Sequence, residues 1–372
     1  MQRTLRLGVI LMTIMLTMVL GIMVLKNIPT DYVVYMPGPA EDVGPMVKAE
    51  AAGKDEGKFL LTAVYQSYPS LFGLLRLQLH PYAEFHKREE VFNEGETEEQ
   101  YSSRQQINML SSQSNAIIAV YERMGIAYRY KTEGLYVRSV LEGYPAASVF
   151  QAWDRIESVD GLKLESYEEL VEYLSDKKAG DMVNITYIRS NARYTSEIEL
   201  KELPASGDAE DRDAGAPSVG VGVSLLVMRS VEAEDERYRV SISAGDIGGP
   251  SAGLMFALEI YNRFDPRDIT KGYIVAGTGE ISPNGRVGVI GGIRHKVIGA
   301  DAQGADIFFA PADYHDVERG ISIPNYSEAV RTAQEIGSDM RIVEVSTLDD
   351  ALRYLEQLPP KSAAPEENGK AA

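Results

Sequence analysis

The stretch Gly245-Asp246-Ile247-Gly248-Gly249-Pro250-Ser251-Ala252-Gly253-Leu254 brings one serine to the start of an apolar run. Leu254, Ala257, Leu258 and Tyr261 follow at helical spacing, which predicts a helix with one buried face and Ser251 at its electropositive end. Pro250 suits the first helical position, and backbone amides around Gly249 to Ala252 are suited to stabilising an oxyanion. A serine hydroxyl placed there becomes a nucleophile only if a base removes its proton. The spacing does not assign that base: His295 and His315 are the imidazoles in this part of the chain, and neither is obviously placed for the work. A second glycine pair, Gly291-Gly292, launches a second helix with Ile293, Val297 and Ala300 on one face and Lys296 in its first turns. Taken alone, Lys296 reads as a surface lysine.

Composition removes several other chemistries. Among 372 residues, 37 basic and 55 acidic side chains give a net charge of −18, which works against a large nucleic-acid surface. With no cysteine there is no thiol nucleophile, disulfide or thiolate metal site. The four histidines show no metal-ligand spacing, His315 between Asp313 and Asp316 being a weak cluster, and no phosphate-loop motif occurs. No cofactor and no metal are therefore expected.

The elements that must position Ser251 follow from the rest of the chain. Residues 7–25 are uncharged and mostly apolar, long enough for a spanning helix. Arg3 and Arg6 before the span and Lys26 just after it put residues 1–6 in the cytoplasm and the bulk of the chain outside. Region 26–124 reads as a folded juxtamembrane segment, with a strand at 59–65 and a helix at 102–124 interrupted by Ser111-Ser112-Gln113-Ser114-Asn115. Residues 125–203 alternate short strands with a helix opened by Ser166 and Glu169. Residues 204–218 have nothing to bury and read as a linker, 219–358 as a second folded unit, and 359–372 as a disordered tail.

Two of these units carry recognisable patterns. Asp154-Arg155-Ile156-Glu157-Ser158-Val159-Asp160-Gly161, with its flanking strands and helix, resembles a bacterial protease-associated PDZ domain, although Trp153 stands where that family usually has glycine. PDZ domains take extended peptides onto a sheet edge, and either Met124-Gly125-Ile126-Ala127 or Glu133-Gly134-Leu135-Tyr136 would serve as the carboxylate loop. Pro250-Ser251-Ala252-Gly253, Gly277-Thr278-Gly279-Glu280-Ile281, Gly291-Gly292-Ile293-Arg294-His295-Lys296 and Gly304-Ala305-Asp306-Ile307-Phe308-Phe309-Ala310-Pro311 are similar to the proteolytic domain of Lon proteases. The resemblance implies a serine–lysine dyad of Ser251 and Lys296, with Thr278 as a supporting hydrogen-bond partner near the lysine and Gly249 and Pro250 shaping the nucleophile turn. The whole order is similar to the membrane-anchored Lon-like proteases of Gram-positive bacteria, some of which process secreted peptide pheromones.

The expected architecture is α+β and multidomain: an N-terminal transmembrane helix, a β-barrel-like PDZ domain and a Lon-type α+β proteolytic domain. The expected function is an ATP-independent serine endopeptidase at the cell membrane, single-pass, with its catalytic domain outside the cell. Its expected partners are exposed or unfolded peptides and proteins, presented through the PDZ domain. The resemblance also implies a homo-oligomer. The competing reading is a PDZ-based adaptor or scaffold with an inactive Lon-like domain.

Overall fold

The computed structural model describes residues 2–50, 56–141, 143–164, 166–189, 192–203 and 219–361. The expected linker, 204–218, and positions 362–372 of the expected tail lie outside the described residues. Residues 359–361 are placed, with Lys361 Nζ 2.6 Å from an Asp306 carboxylate oxygen.

Helix α1 (Gln2–Asn27) precedes β1 (Tyr32–Asp42), β2 (Lys58–Ser67), β3 (Glu84–Lys87) and the long helix α2 (Glu98–Met124). Next come β4 (Tyr128–Val140), β5 (Arg155–Val159), α3 (Tyr167–Ser175), β6 (Met182–Arg189), β7 (Ala192–Glu199) and, past residues 204–218, β8 (Val223–Ala233). The remainder alternates: α4 (Gly253–Phe264), β9 (Ile274–Gly277), α5 (Ile293–Ala302), β10 (Ile307–Pro311), α6 (Asn325–Ile336), β11 (Arg341–Val345) and α7 (Leu348–Gln357). At 1.5 Å per residue α1 is about 39 Å long, and its stretch Ile10–Asn27 has a mean hydropathy of 2.0 with none of it buried. It is compatible with a single-pass anchor.

One sheet joins the two ends of the chain, in the order β11-β10-β9-β2-β1-β3. β2 runs parallel to β9 on one side and antiparallel to β1 on the other, so its Phe59-Leu60-Leu61 run is buried on both faces. The juxtamembrane strands and the C-terminal strands are therefore a single layer, although residues 125–203 separate them in sequence. Helix α4 fills the middle of this unit. Its spacing predicted one buried face, but nine of its twelve residues are buried, because α2 covers the side turned away from the sheet. Leu254, Met255, Phe256, Leu258 and Ile260 are wholly inaccessible there, each worth about 1.5–3 kcal/mol in burial.

The second sheet runs β8-β4-β5-β6-β7. β8 pairs with β4 along its whole length, from Val223 opposite Val140 to Ala233 opposite Tyr128. Ser166 caps α3 by accepting from the Glu169 amide, as its spacing predicted. Trp153, at the usual glycine position, has φ +76, and that left-handed backbone is why glycine is favoured there. Holding a tryptophan in it costs about 1–2 kcal/mol.

Candidate active site and peptide groove

Ser251 lies in a turn two residues ahead of α4, whose N-cap is Ala252. The expectation that Pro250 and Ser251 begin the helix is corrected accordingly: Gly249 takes φ +88, and the chain enters α4 only at Gly253. The turn is tied from outside. Gln105 on α2 accepts from the Gly249 amide at 2.8 Å, and Ser112 donates its hydroxyl to the Pro250 carbonyl at 2.7 Å. Gly248 and Gly253 permit that contact, since a Cβ at either would fall 2.9 Å from Gln105 Cβ or 2.7 Å from Ser112 Oγ. Ser111-Ser112-Gln113 therefore marks where α2 meets the serine turn. With the Gly249 amide committed and Pro250 lacking an N–H, the oxyanion donors narrow to the amides of Ser251 and Ala252, which meet no acceptor among the described residues.

Lys296 stands on α5, which begins after Gly292 in a left-handed conformation, φ +67. Gly299 lets this helix press onto β1, because a Cβ there would lie 2.3 Å from the Gly38 carbonyl oxygen. The close approach carries Lys296 under β2. Its Nζ lies 2.9 Å from Ser251 Oγ and 2.7 Å from the Thr62 carbonyl oxygen. Lys296 is 4% exposed, and among the described residues no carboxylate pairs with its Nζ to hold its charge. Burial pushes the ammonium down from 10.5 to about 7. As an ammonium, Nζ donates to both oxygens; as a neutral amine, it keeps an N–H for Thr62 and turns its lone pair to the Ser251 hydroxyl.

Thr278 is wholly buried beside the pair but supports the serine rather than the lysine. Its hydroxyl donates to the Ser251 carbonyl at 3.0 Å, and the Gly279 amide donates to the same oxygen at 2.8 Å. The lysine's second partner, the Thr62 carbonyl, is a main-chain atom with no signature in sequence. His295 is directed away from the serine to Glu84, its Nε2 3.0 Å from Oε2, and this hydrogen bond holds the Glu84 carboxyl below its ordinary value. His315 pairs with Ser322 in a distant hairpin.

A groove of about 910 Å³ opens over Ser251, walled by residues 61–66 of β2, by α2 at Gln105 and Met109, and by residues 244–252. β9 stops pairing with β2 at Leu61, so the β2 edge beyond it faces this groove without a strand. A second, apolar groove lies between α3 (Leu170, Leu174) and the segment Gly220-Val221-Gly222-Val223 with Leu225. β8 ends its sheet, leaving one edge free. Neither loop proposed from sequence lines this groove: Gly125 is the left-handed C-cap of α2, and Gly134 is covered by the Arg155 side chain. Alternating glycine and valine at 219–223 was the available signal, hidden by its place after the linker.

Residues 122–200 match the PDZ domain model, and residues 226–356 match the model of the Lon protease (S16) C-terminal proteolytic domain. Lon protease 1 of Sorangium cellulosum is 32% identical over 157 residues, covering 41% of this chain and 17% of the relative. Lon protease of Mesomycoplasma hyopneumoniae is 29% identical over 173 residues, covering 43% of this chain and 18% of the relative. The chain thus spans less than a fifth of the length of either relative. The solved PDZ domain of an SdrC-like protein from Listeria monocytogenes is 32% identical, covers 25% of this chain and 88% of its own, and has a TM-score of 0.21. By its domain content, the chain carries a PDZ domain and, in its C-terminal part, an S16-type proteolytic domain.

Proposed function

We propose that this chain is a membrane-tethered, ATP-independent endopeptidase in which Ser251 is the nucleophile and Lys296 its general base. The carrying observation is Lys296 Nζ, dry and 2.9 Å from Ser251 Oγ, with its charge weakened by burial alone. The neutral amine takes the Ser251 proton as Oγ attacks the peptide carbonyl. The Ser251 and Ala252 amides receive the oxyanion: Thr278 and Gly279 on the Ser251 carbonyl fix the plane of the Ala252 amide, and Ser112 on the Pro250 carbonyl fixes that of the Ser251 amide. The lysine ammonium then protonates the leaving amine, and water hydrolyses the acyl-enzyme with Lys296 as base again.

The open edge of β2 supports a substrate bound as an added strand, its main chain paired beyond Leu61. Only an extended chain fits such an edge, which favours substrates already unfolded or exposed, secreted peptide signals among them. The PDZ groove receives a peptide on the free edge of β8, with its carboxylate at the turn 221–223. α1 anchors the protein with residues 1–6 in the cytoplasm and the catalytic unit outside, and the protein works as a homo-oligomer.

The test is cleavage of an unstructured peptide by the parent, Ser251→Ala and Lys296→Ala. Activity confined to the parent supports the dyad. Equal cleavage by all three, or none by the parent, would leave the PDZ adaptor reading in its place. Protease digestion of the catalytic unit from outside intact cells tests the topology; protection there would reverse it.

A further inference from the structure

The sole tryptophan sits at the seam between the PDZ sheet and α2. Trp153 adopts φ +76 where glycine would be unstrained, and the turn is tied through its backbone and its neighbour. The Trp153 amide donates to Val137 at 2.6 Å, and buried Asp154 is clamped by Arg189 at 2.5 and 2.8 Å. The indole stacks on no ring, and its N–H meets no acceptor among the described residues. The indole is half-buried at the seam, and its remaining exposed surface, held there at the cost of a strained backbone, faces the space between the two units.

That side chain lines a cleft of about 700 Å³ between α2 and the PDZ sheet. Tyr136 and Ile188 stand on its wall; Leu110, 41% exposed, faces them from α2. The cleft adjoins the groove over Ser251 across one stripe of α2, since Glu98, Ser102 and Gln106 line both. An extended chain leaving the catalytic groove across the N-terminal half of α2 enters the seam.

We propose that the seam is an extended substrate site, in which an apolar or aromatic side chain of an unfolded polypeptide, remote from the scissile bond, packs against Trp153 and Leu110. The proposal rests on the peptidase reading, since its occupant is that enzyme's substrate. Long chains gain affinity from the seam that short peptides, confined to the catalytic groove, do not.

The experiment compares oxidised insulin B chain, which is unstructured and lacks tryptophan, with an octapeptide spanning its main cleavage site. Both are assayed with the full chain in detergent micelles, as parent, Trp153→Gly and Leu110→Ser. Glycine suits the left-handed turn and Leu110 is exposed, and kcat/KM for the octapeptide, expected unchanged from the parent, reports that each variant is folded. The expected result is about a tenfold fall in the ratio of kcat/KM for the long substrate to that for the octapeptide, in each variant. In Ser251→Ala, the B chain shifts the emission of Trp153 saturably and the octapeptide does not. A ratio within twofold of the parent in both variants, or no emission shift with the B chain, overturns the proposal. If the parent cleaves neither substrate, the peptidase reading fails, and the emission titration still decides whether the seam binds chain.

Discussion

Burial makes the Lys296 ammonium costly to keep charged. Its folded-state pKa, about 7, lies below the unfolded value of 10.5. Between those values the unfolded chain binds more protons, so the lysine's contribution to stability rises with pH through that window and is at its least favourable below about 7. Lys296→Met removes this penalty but orphans the Thr62 carbonyl, which costs about 1–3 kcal/mol. The variant should therefore gain stability relative to the parent as pH falls from 10 towards 7. Paired urea unfolding at both pH values checks this; a difference independent of pH would mean that the amine is solvated. Ser112→Ala removes the tether on the Pro250 carbonyl and should cost about 1 kcal/mol. It should also lower kcat/KM roughly tenfold through loss of positioning, with little change in KM, read from steady-state kinetics on the same peptide.

At the scale of elements, α2 and α5 act as two jaws that set the distance between Ser251 and Lys296. Gly299→Ala drives a Cβ to 2.3 Å from the Gly38 carbonyl, so α5 must lift from β1, at about 1–3 kcal/mol. Thermal unfolding should show that loss, and kcat should fall with it because Lys296 rides on the same helix. The spacing alone left Lys296 a surface lysine; the resemblance of the glycine blocks paired it with Ser251, and its Nζ lies 2.9 Å from Ser251 Oγ. The rest of the site was not legible in sequence. Thr62 contributes only its carbonyl, from 234 positions away, and a main-chain oxygen leaves no mark on residue type. Thr278 was expected near the lysine but bonds the Ser251 carbonyl, because the strand ending at Gly277 sets where its hydroxyl falls. α4 read as amphipathic because its spacing cannot reveal that α2 covers its other face.

At the scale of the molecule, the catalytic unit is assembled from both ends of the chain, with the PDZ sheet between them. β8 belongs to both, its first residues lining the peptide groove and its later ones packing on α2, where Ser114 donates to the Arg229 carbonyl at 3.1 Å. A chain read in order suggests a peptidase domain starting at 219, but such a fragment lacks β1, β2 and the Thr62 carbonyl. We predict that residues 219–361 expressed alone show no cooperative unfolding and no cleavage, whereas a fragment starting after Lys26 shows both. Circular dichroism melts and peptide cleavage distinguish the outcomes; an active 219–361 fragment would mean that the shared sheet is dispensable.

The central claim is that a dry, neutral lysine activates Ser251, and the pH profile of kcat/KM on a peptide without ionisable side chains tests it most directly. A buried Lys296 titrating near 7 predicts activity that rises through neutral pH with one apparent pKa close to 7 and disappears in Lys296→Met. A limb near the ordinary lysine value, or a Lys296→Met variant with the parent's profile, would contradict it.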